Sequence, residues 1–350
     1  MCSKSYKIID LSTDITTLPS KEMVEFMSTA TVGDDCCDGD PSINALKSYV
    51  CTMFNVEDAI FLPTATMGNL ISFLVVCNPG DIVYSDKTYH AIHLEGGGAS
   101  AFAGVNFREI VGKNGIFSSS NIKDSFLFGG SGHNFCKPKM VLIEQTTNLG
   151  GGVVWSLDAL KDISNFSKKH NLWVHIDGAR IFNASVATNT KVSKYSSFAD
   201  SICIDFAKGL GAPVGAMLCG NKEFIEKSKA FRIKLGGGMH KSGFMAKACM
   251  FALKNNINRL KIDHDNAKKL AFLLKKIEFL DIEPEKVETN ILVFTIKHYS
   301  INAILLSKIL RARGIFITAI GQNRIRLITS TNIEEKDLNY IYQQIVSVFT

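Results

Sequence analysis

The chain has 350 residues, 46% of them hydrophobic and 21% charged, which is ordinary for a folded protein and excludes a mainly disordered one. The length predicts two domains, or one large α/β unit with an appendage, and a core that needs neither disulfide nor metal to hold it. The formal charge of +6 is spread along the whole sequence, with no basic block or aromatic-interleaved basic stripe, which argues against a nucleic-acid partner. Nine cysteines, an odd number scattered without a CxxC pair, argue against a disulfide framework or a zinc ribbon, and no metal site is expected. No apolar run reaches the roughly 18 residues of a membrane span, and the start MCSKSYKIIDLSTD lacks a signal-peptide core. The expectation is a cytoplasmic protein without a membrane partner.

In chain order, Ala59–Leu62, Asp81–Ser85, Met140–Glu144, Leu172–Asp177 and Ser201–Phe206 read as buried strands. Helical spacing separates them, as in Leu157–His170, where Leu157, Leu160, Ile163 and Phe166 share a face. This alternation predicts an α/β fold with a largely parallel sheet covered by helices. Residues 239–274 read as one long helix, or two with a bend. A smaller α+β pattern follows, with strands at Asn290–Ile296, Gly314–Thr318 and Arg324–Ile328 and a closing helix at Ile333–Val348. The expected division is 1–250, an N-terminal arm and large domain, and 251–350, a small domain.

Ligands of such sheets sit beyond the C-terminal ends of the strands, so the residues there carry the functional reading. Asp177 ends a strand and opens Asp177-Gly178-Ala179-Arg180. Standing alone, it reads as a helix cap. Thirty-one residues later Lys208 follows another strand, within Ala207–Gly215. A lone lysine reads as an exposed charge, but glycines around it let a backbone approach a ligand, which suits a Schiff-base lysine. The pair has one chemical rationale. Pyridoxal phosphate needs a lysine for its aldehyde and a carboxylate against its ring nitrogen. Its phosphate needs backbone N–H groups at a helix start, and Pro63–Asn69, with Thr64, Ala65 and Thr66, follows a strand and opens a helix. His90, after the strand at Asp81–Ser85, could stack on the ring; without the other motifs it reads as a polar loop residue.

With Val32-Gly33-Asp34-Asp35, Asp40-Pro41, Glu95 and its following glycines, and Gly236–Met239, these motifs resemble the low-specificity L-threonine aldolase family from Asp10 to about Thr350. The resemblance implies a pyridoxal-phosphate enzyme of fold type I. Its large domain would carry a mostly parallel seven-stranded sheet, and a smaller C-terminal α+β domain would follow. Lys208 would bind the cofactor aldehyde, Asp177 its ring nitrogen, and Arg180 its 3-oxygen region. His90 would stack on the ring beside the substrate β-hydroxyl, with Thr64, Ala65 and Thr66 in the phosphate loop. Arg326 would hold the substrate carboxylate, assisted by Thr13, where the family usually has serine. An exposed strand arginine is the other reading of Arg326, since Arg324 lies two residues before it.

His133 lies one residue from the position of the family's second pocket histidine. His240 stands where the family has an arginine that reaches a neighbouring subunit's phosphate, which implies a homodimer or homotetramer with shared sites. Other departures are Ser12, Cys37, Ala65, Thr147 and Ala207. The implied reaction is retro-aldol cleavage of L-threonine or L-allo-threonine to glycine and acetaldehyde, with His90 as base. A β-eliminating lyase, a transaldolase or a paralogue without turnover are the alternatives.

Overall fold

The apolar runs form the middle of one sheet because parallel strands covered on both faces leave no polar side. The protein is represented by a computed structural model that describes residues 8–126 and 135–349, so His133 lies outside the described residues. The strands are β1 (Ile9–Asp10), β2 (Asp58–Leu62), β3 (Ile82–Asp86), β4 (Asn106–Ile110), β5 (Pro138–Glu144), β6 (Trp173–Gly178) and β7 (Ser201–Asp205). They continue with β8 (Ala216–Gly220), β9 (Leu280–Asp281), β10 (Ile291–Ile296), β11 (Ile315–Phe316), β12 (Thr318–Ala319) and β13 (Arg324–Ile328).

The large sheet has seven strands in the order β2-β8-β7-β6-β5-β3-β4. Only β8 runs against its neighbours, so the expected mostly parallel sheet is what forms. Every residue of β3 and of β8 is buried. The helix Leu157–Lys169 starts where Ser156 accepts the Ala159 N–H at 3.1 Å, and it buries Leu160, Ile163 and Phe166. Its fourth expected core residue, Leu157, is only partly covered.

The segment 239–274 is two helices, Gly243–Asn255 and Leu260–Leu274. The break between them has a use. Asn256 Nδ2 donates to the Leu210 carbonyl at 2.7 Å, and Arg259 donates to the Gly209 carbonyl at 3.1 Å, so the break braces the loop after Lys208. The expected strand Gly314–Thr318 splits in two: β11 pairs in parallel with β1, while β12 joins the antiparallel sheet β12-β13-β10-β9. Buried Ile317 lies between the two pieces.

Two main hydrophobic cores result. Residue 250 falls within the helix Gly243–Asn255, and Ala248, Cys249, Ala252 and Leu253 all pack into the large core. The second core takes Ala267, Leu270 and Leu274 of the following helix, together with Ile9 and Leu11 of the arm. The arm assigned to the large unit therefore packs its apolar residues on the smaller one, a partner choice that an apolar run does not encode. In doing so it crosses the C-terminal edge of the large sheet.

Candidate active site

That edge opens on a cavity of ≈ 540 Å³. Its wall brings together Lys208, Asp177, Arg180 and His90 from the large sheet's strand ends, Thr64, Ala65 and Thr66 from a helix start, Thr13 from the arm, and Arg326 from β13. Nine residues singled out in the sequence thus meet at one place. His240 does not line this cavity; its side chain is 74% exposed, with Nδ1 3.2 Å from Asp34.

Lys208 sits in the turn after β7, its side chain only 13% exposed. Thr17 Oγ1 donates to its carbonyl at 2.7 Å, and Gly211, at φ +75, donates to the same oxygen at 2.8 Å. Its Nζ donates to Asp205 Oδ2 at 2.6 Å. Burial disfavours the cation, but the carboxylates of Asp205 and Asp177 outweigh it and hold the Lys208 pKa above its ordinary value. Asp177 pairs across the sheet with Glu144 on β5 and Cys203 on β7. Its Oδ1 accepts the Ala179 N–H at 3.1 Å and its Oδ2 accepts Asn69 Nδ2 at 2.9 Å, so the carboxylate is fixed at both oxygens. The helix-cap reading does not hold: Ala179 precedes the helix Ile181–Thr188, whose N-cap residue is Arg180.

His90 begins the short helix His90–His93, with its ring 28% exposed and Nδ1 3.0 Å from Glu95 Oε1. At the start of the helix Ala65–Val76, Thr64 Oγ1 accepts the Met67 N–H at 3.2 Å. The first N–H groups of a helix have no partner within it, so this end suits an anion. Arg180 donates through Nε and Nη2 to Asp14 at 2.8 and 2.7 Å, which ties the arm to β6. Asn290 of the smaller unit donates to the same aspartate at 3.2 Å.

Arg326 is buried and Arg324 is exposed, because only the former reaches in from the strand's covered part. Arg326 donates to the Ser12 carbonyl at 2.9 Å and to Asn148, while its Nε has no hydrogen-bond partner. Burial and the nearby Arg180 charge bring its pKa down to about 10, which still leaves it charged near neutrality. Two guanidinium groups therefore share the cavity with the Lys208 amine, and Arg326 has a donor to spare. Glu144, at the end of β5, lines the same wall; burial, then the Asp177 charge, push its carboxyl up to about 8.

Asp14, Asn69, Asp205 and Glu144 were absent from the residues singled out in the sequence. Asp205 and Glu144 had a legible signal, a carboxylate at the C-terminal end of a buried strand. Asp14 and Asn69 had none, since each acts across more than 100 residues of chain. Among the described residues, two sets of side chains offer ligand atoms within 4.8 Å of one another: exposed Asp34 and His240 with Cys36, and His90 with Glu95 and Asp177. In the second set Asn69 already donates into both carboxylates.

The β-eliminating lyase family matches residues 10–297. A low-specificity L-threonine aldolase of Escherichia coli O157:H7 is 35% identical over 332 residues, covering 95% of this chain and 96% of that one. Low-specificity L-threonine aldolase 1 of Arabidopsis thaliana is 34% identical over 337 residues, covering 95% and 94%. The chain belongs to the β-eliminating lyase family and, within it, to the low-specificity L-threonine aldolases. In fold it matches a Leishmania major threonine aldolase with a TM-score of 0.83 at 18% identity, over 98% of this chain and 100% of that one. Fold type I of the pyridoxal-phosphate enzymes is therefore its architecture.

The family depends on pyridoxal phosphate. The residues present fit that group. A covered amine and a fixed carboxylate stand on one cavity, a helix start opens on it, and a buried guanidinium keeps a donor without a partner.

Proposed function

We propose that the protein cleaves L-threonine and L-allo-threonine to glycine and acetaldehyde. The observation that carries this is the convergence of Lys208, Asp177, His90 and Arg326 on one cavity in a chain of this family. When bound, pyridoxal phosphate supplies an electron sink for the pair left at Cα. Lys208 supplies the amine for the cofactor aldehyde, and Asp177 holds the proton at the ring nitrogen. Arg326 holds the substrate carboxylate, with Thr13 beside it, and so fixes which Cα bond lies along the reactive direction. His90 takes the β-hydroxyl proton as the Cα–Cβ bond breaks, and Glu95, 3.0 Å from its Nδ1, stabilises the imidazolium. The proton lost at oxygen is balanced by one gained at Cα, which makes glycine.

The working form in this reading is a homodimer or homotetramer, with His240 directed at a neighbour's phosphate. Its exposure and its separation from its own cavity support that placement. A cytoplasmic location fits the described cysteines, all of them free. Among the described residues no helix is long and apolar enough to cross a membrane.

The deciding assay is release of acetaldehyde and glycine from both threonine diastereomers by the cofactor-saturated protein. Equal amounts of the two products are expected. Keto acid with ammonia would make it a β-eliminating lyase, and aldehyde exchange without free acetaldehyde a transaldolase.

A further inference from the structure

Beneath the cavity a line of hydrogen bonds runs through buried side chains, and its polarity can be fixed from the chemistry of its ends. Asn69 is fully buried and lies 2.9 Å from Asp177 Oδ2 and 2.8 Å from Glu95 Oε1 through Nδ2. Carboxylates accept, so the amide must present its two N–H groups to them. Its Oδ1 then faces His175 Nε2 at 3.1 Å, and that nitrogen must carry a proton. His175 is fully buried, and burial brings its pKa down to about 4, so it is neutral and its Nδ1 accepts. The donor to Nδ1 is Ser201 Oγ at 2.8 Å, and Ser201 in turn accepts the Trp173 Nε1–H at 2.8 Å. Tryptophan can only donate, so the chain closes with no conflict at any atom. Reversing Asn69 would set three acceptors against one another.

The hub also spans the reactive groups. On one side Asn69 holds Asp177; on the other it holds Glu95, which carries His90 at 3.0 Å. It lies one helical turn after Ala65 on the helix Ala65–Val76, whose start lines the cavity. We propose that Asn69 is the positioning residue that sets Asp177 and His90 relative to each other, with the Trp173–Ser201–His175 line holding its amide in the one productive orientation. This inference rests on the reading of Asp177 and His90 as cofactor partners. Preorganised support of this kind acts on the geometry of the groups it holds rather than on the substrate directly.

The test uses Asn69→Asp, which keeps the shape but replaces the donors with a third carboxyl group, and Ser201→Ala, which removes the remote donor to His175 and the acceptor of the Trp173 Nε1–H. Titration of each with pyridoxal phosphate, followed by absorbance, needs no substrate. Besides Asn69, the groups that face Asp177 are His175 on its own strand, Glu144 on β5, Cys203 on β7, His90, Glu95 and Lys208, and all are retained.

For Asn69→Asp the expected result is cofactor binding weakened about tenfold or more and a shift of about one unit in the pH midpoint of the bound cofactor's band. Threonine kcat should fall more than about tenfold with KM within about threefold. Ser201→Ala should move the same readouts in the same direction by about two- to fivefold. For Ser201→Ala, which adds no charge, a purely structural role would lower the melting temperature without moving the band's midpoint. If both variants keep the wild-type midpoint and affinity within about twofold, the inference is overturned, and if Asn69→Asp does not fold, Ser201→Ala decides alone. A wild-type protein that binds no cofactor would instead overturn the functional reading.

Discussion

The floor of the cavity and its rim are built differently. On the floor, three charged groups meet partners within the same chain: Lys208 with Asp205, Arg180 with Asp14, Asp177 with Asn69. On the rim, Ile15 and Leu94 are 60% and 50% exposed although both line the cavity mouth, and His240 stands off beside Asp34. Groups that must ionise or bind in a covered place need partners fixed in advance, because burial penalises every unpaired charge. Groups at the mouth carry no such penalty. The difference teaches that partners within one chain hold the covered, charged part of this site, while its mouth is left exposed.

The largest effect should come from the floor. Lys208→Ala should abolish the covalent cofactor band and lower aldehyde release by about a thousandfold or more, with the circular dichroism spectrum unchanged. A retained covalent band would remove Lys208 from its role. Next is the brace between arm and sheet. Burial raises the Asp14 carboxyl, but the charge and hydrogen bonds of Arg180 outweigh it and bring its pKa down to about 2, below the ordinary 3.8. Its stabilisation is therefore complete above about pH 4 and lost as pH falls towards 2. Asp14→Asn leaves Arg180 buried without its anion and should cost about 3–5 kcal/mol at neutral pH. Denaturant melts from pH 7 to 2 should show a flatter acid limb in the variant, and an unchanged limb would break the assignment.

Glu144 has the opposite sign. Its carboxyl, raised to about 8 from the ordinary 4.5, contributes fully below about pH 4.5 and loses that contribution as pH rises through 8. In the cofactor-free protein, Glu144→Gln should flatten the stability profile between about pH 4.5 and 8. A profile with the wild-type slope would place the Glu144 charge in a polar setting instead.

How much of this was legible beforehand divides along the same line. Strand ends were, because buried apolar runs show where a parallel sheet stops, and Asp177, Lys208 and His90 all follow such runs. Thr64, Ala65 and Thr66 were legible for the same reason. Partners were not. Asp14 meets Arg180, and Asn69 meets Asp177, through contacts that only folding creates. Asp35 of the Gly33-Asp34-Asp35 motif pairs with buried Arg232 at 2.5 Å, and Asp40 of Asp40-Pro41 caps the helix Pro41–Phe54, so part of that signature is structural. Arg326 and Arg324 could not be separated at period two, since the spacing gives a shared face and not where along the strand the cover begins.

Arg326→Lys sharpens that last distinction. A lysine keeps the charge but not the planar fork, so the amino-acid KM should rise by about 10- to 100-fold. Arg324→Lys, at the exposed position, should change KM by less than about twofold. Equal effects from the two would return Arg326 to the status of a strand arginine.

The smallest effect should come from the rim, and it is the one that tests whether closure comes from a second copy. His240→Ala touches a side chain that is 74% exposed, so the fold should not register it. Cofactor affinity should fall by about three- to tenfold, since an imidazole gives a phosphate one donor where a guanidinium gives a fork. Affinity alone does not say whose phosphate is involved. Mixing Lys208→Ala with His240→Ala does. In a mixed dimer with shared sites, one site takes Lys208 from the second variant and His240 from the first, and so is wild-type in both. Wild-type affinity should then return in up to half of the sites of the mixed species. If the two groups act within one chain, neither site of the mixed dimer contains both, and mixing restores nothing.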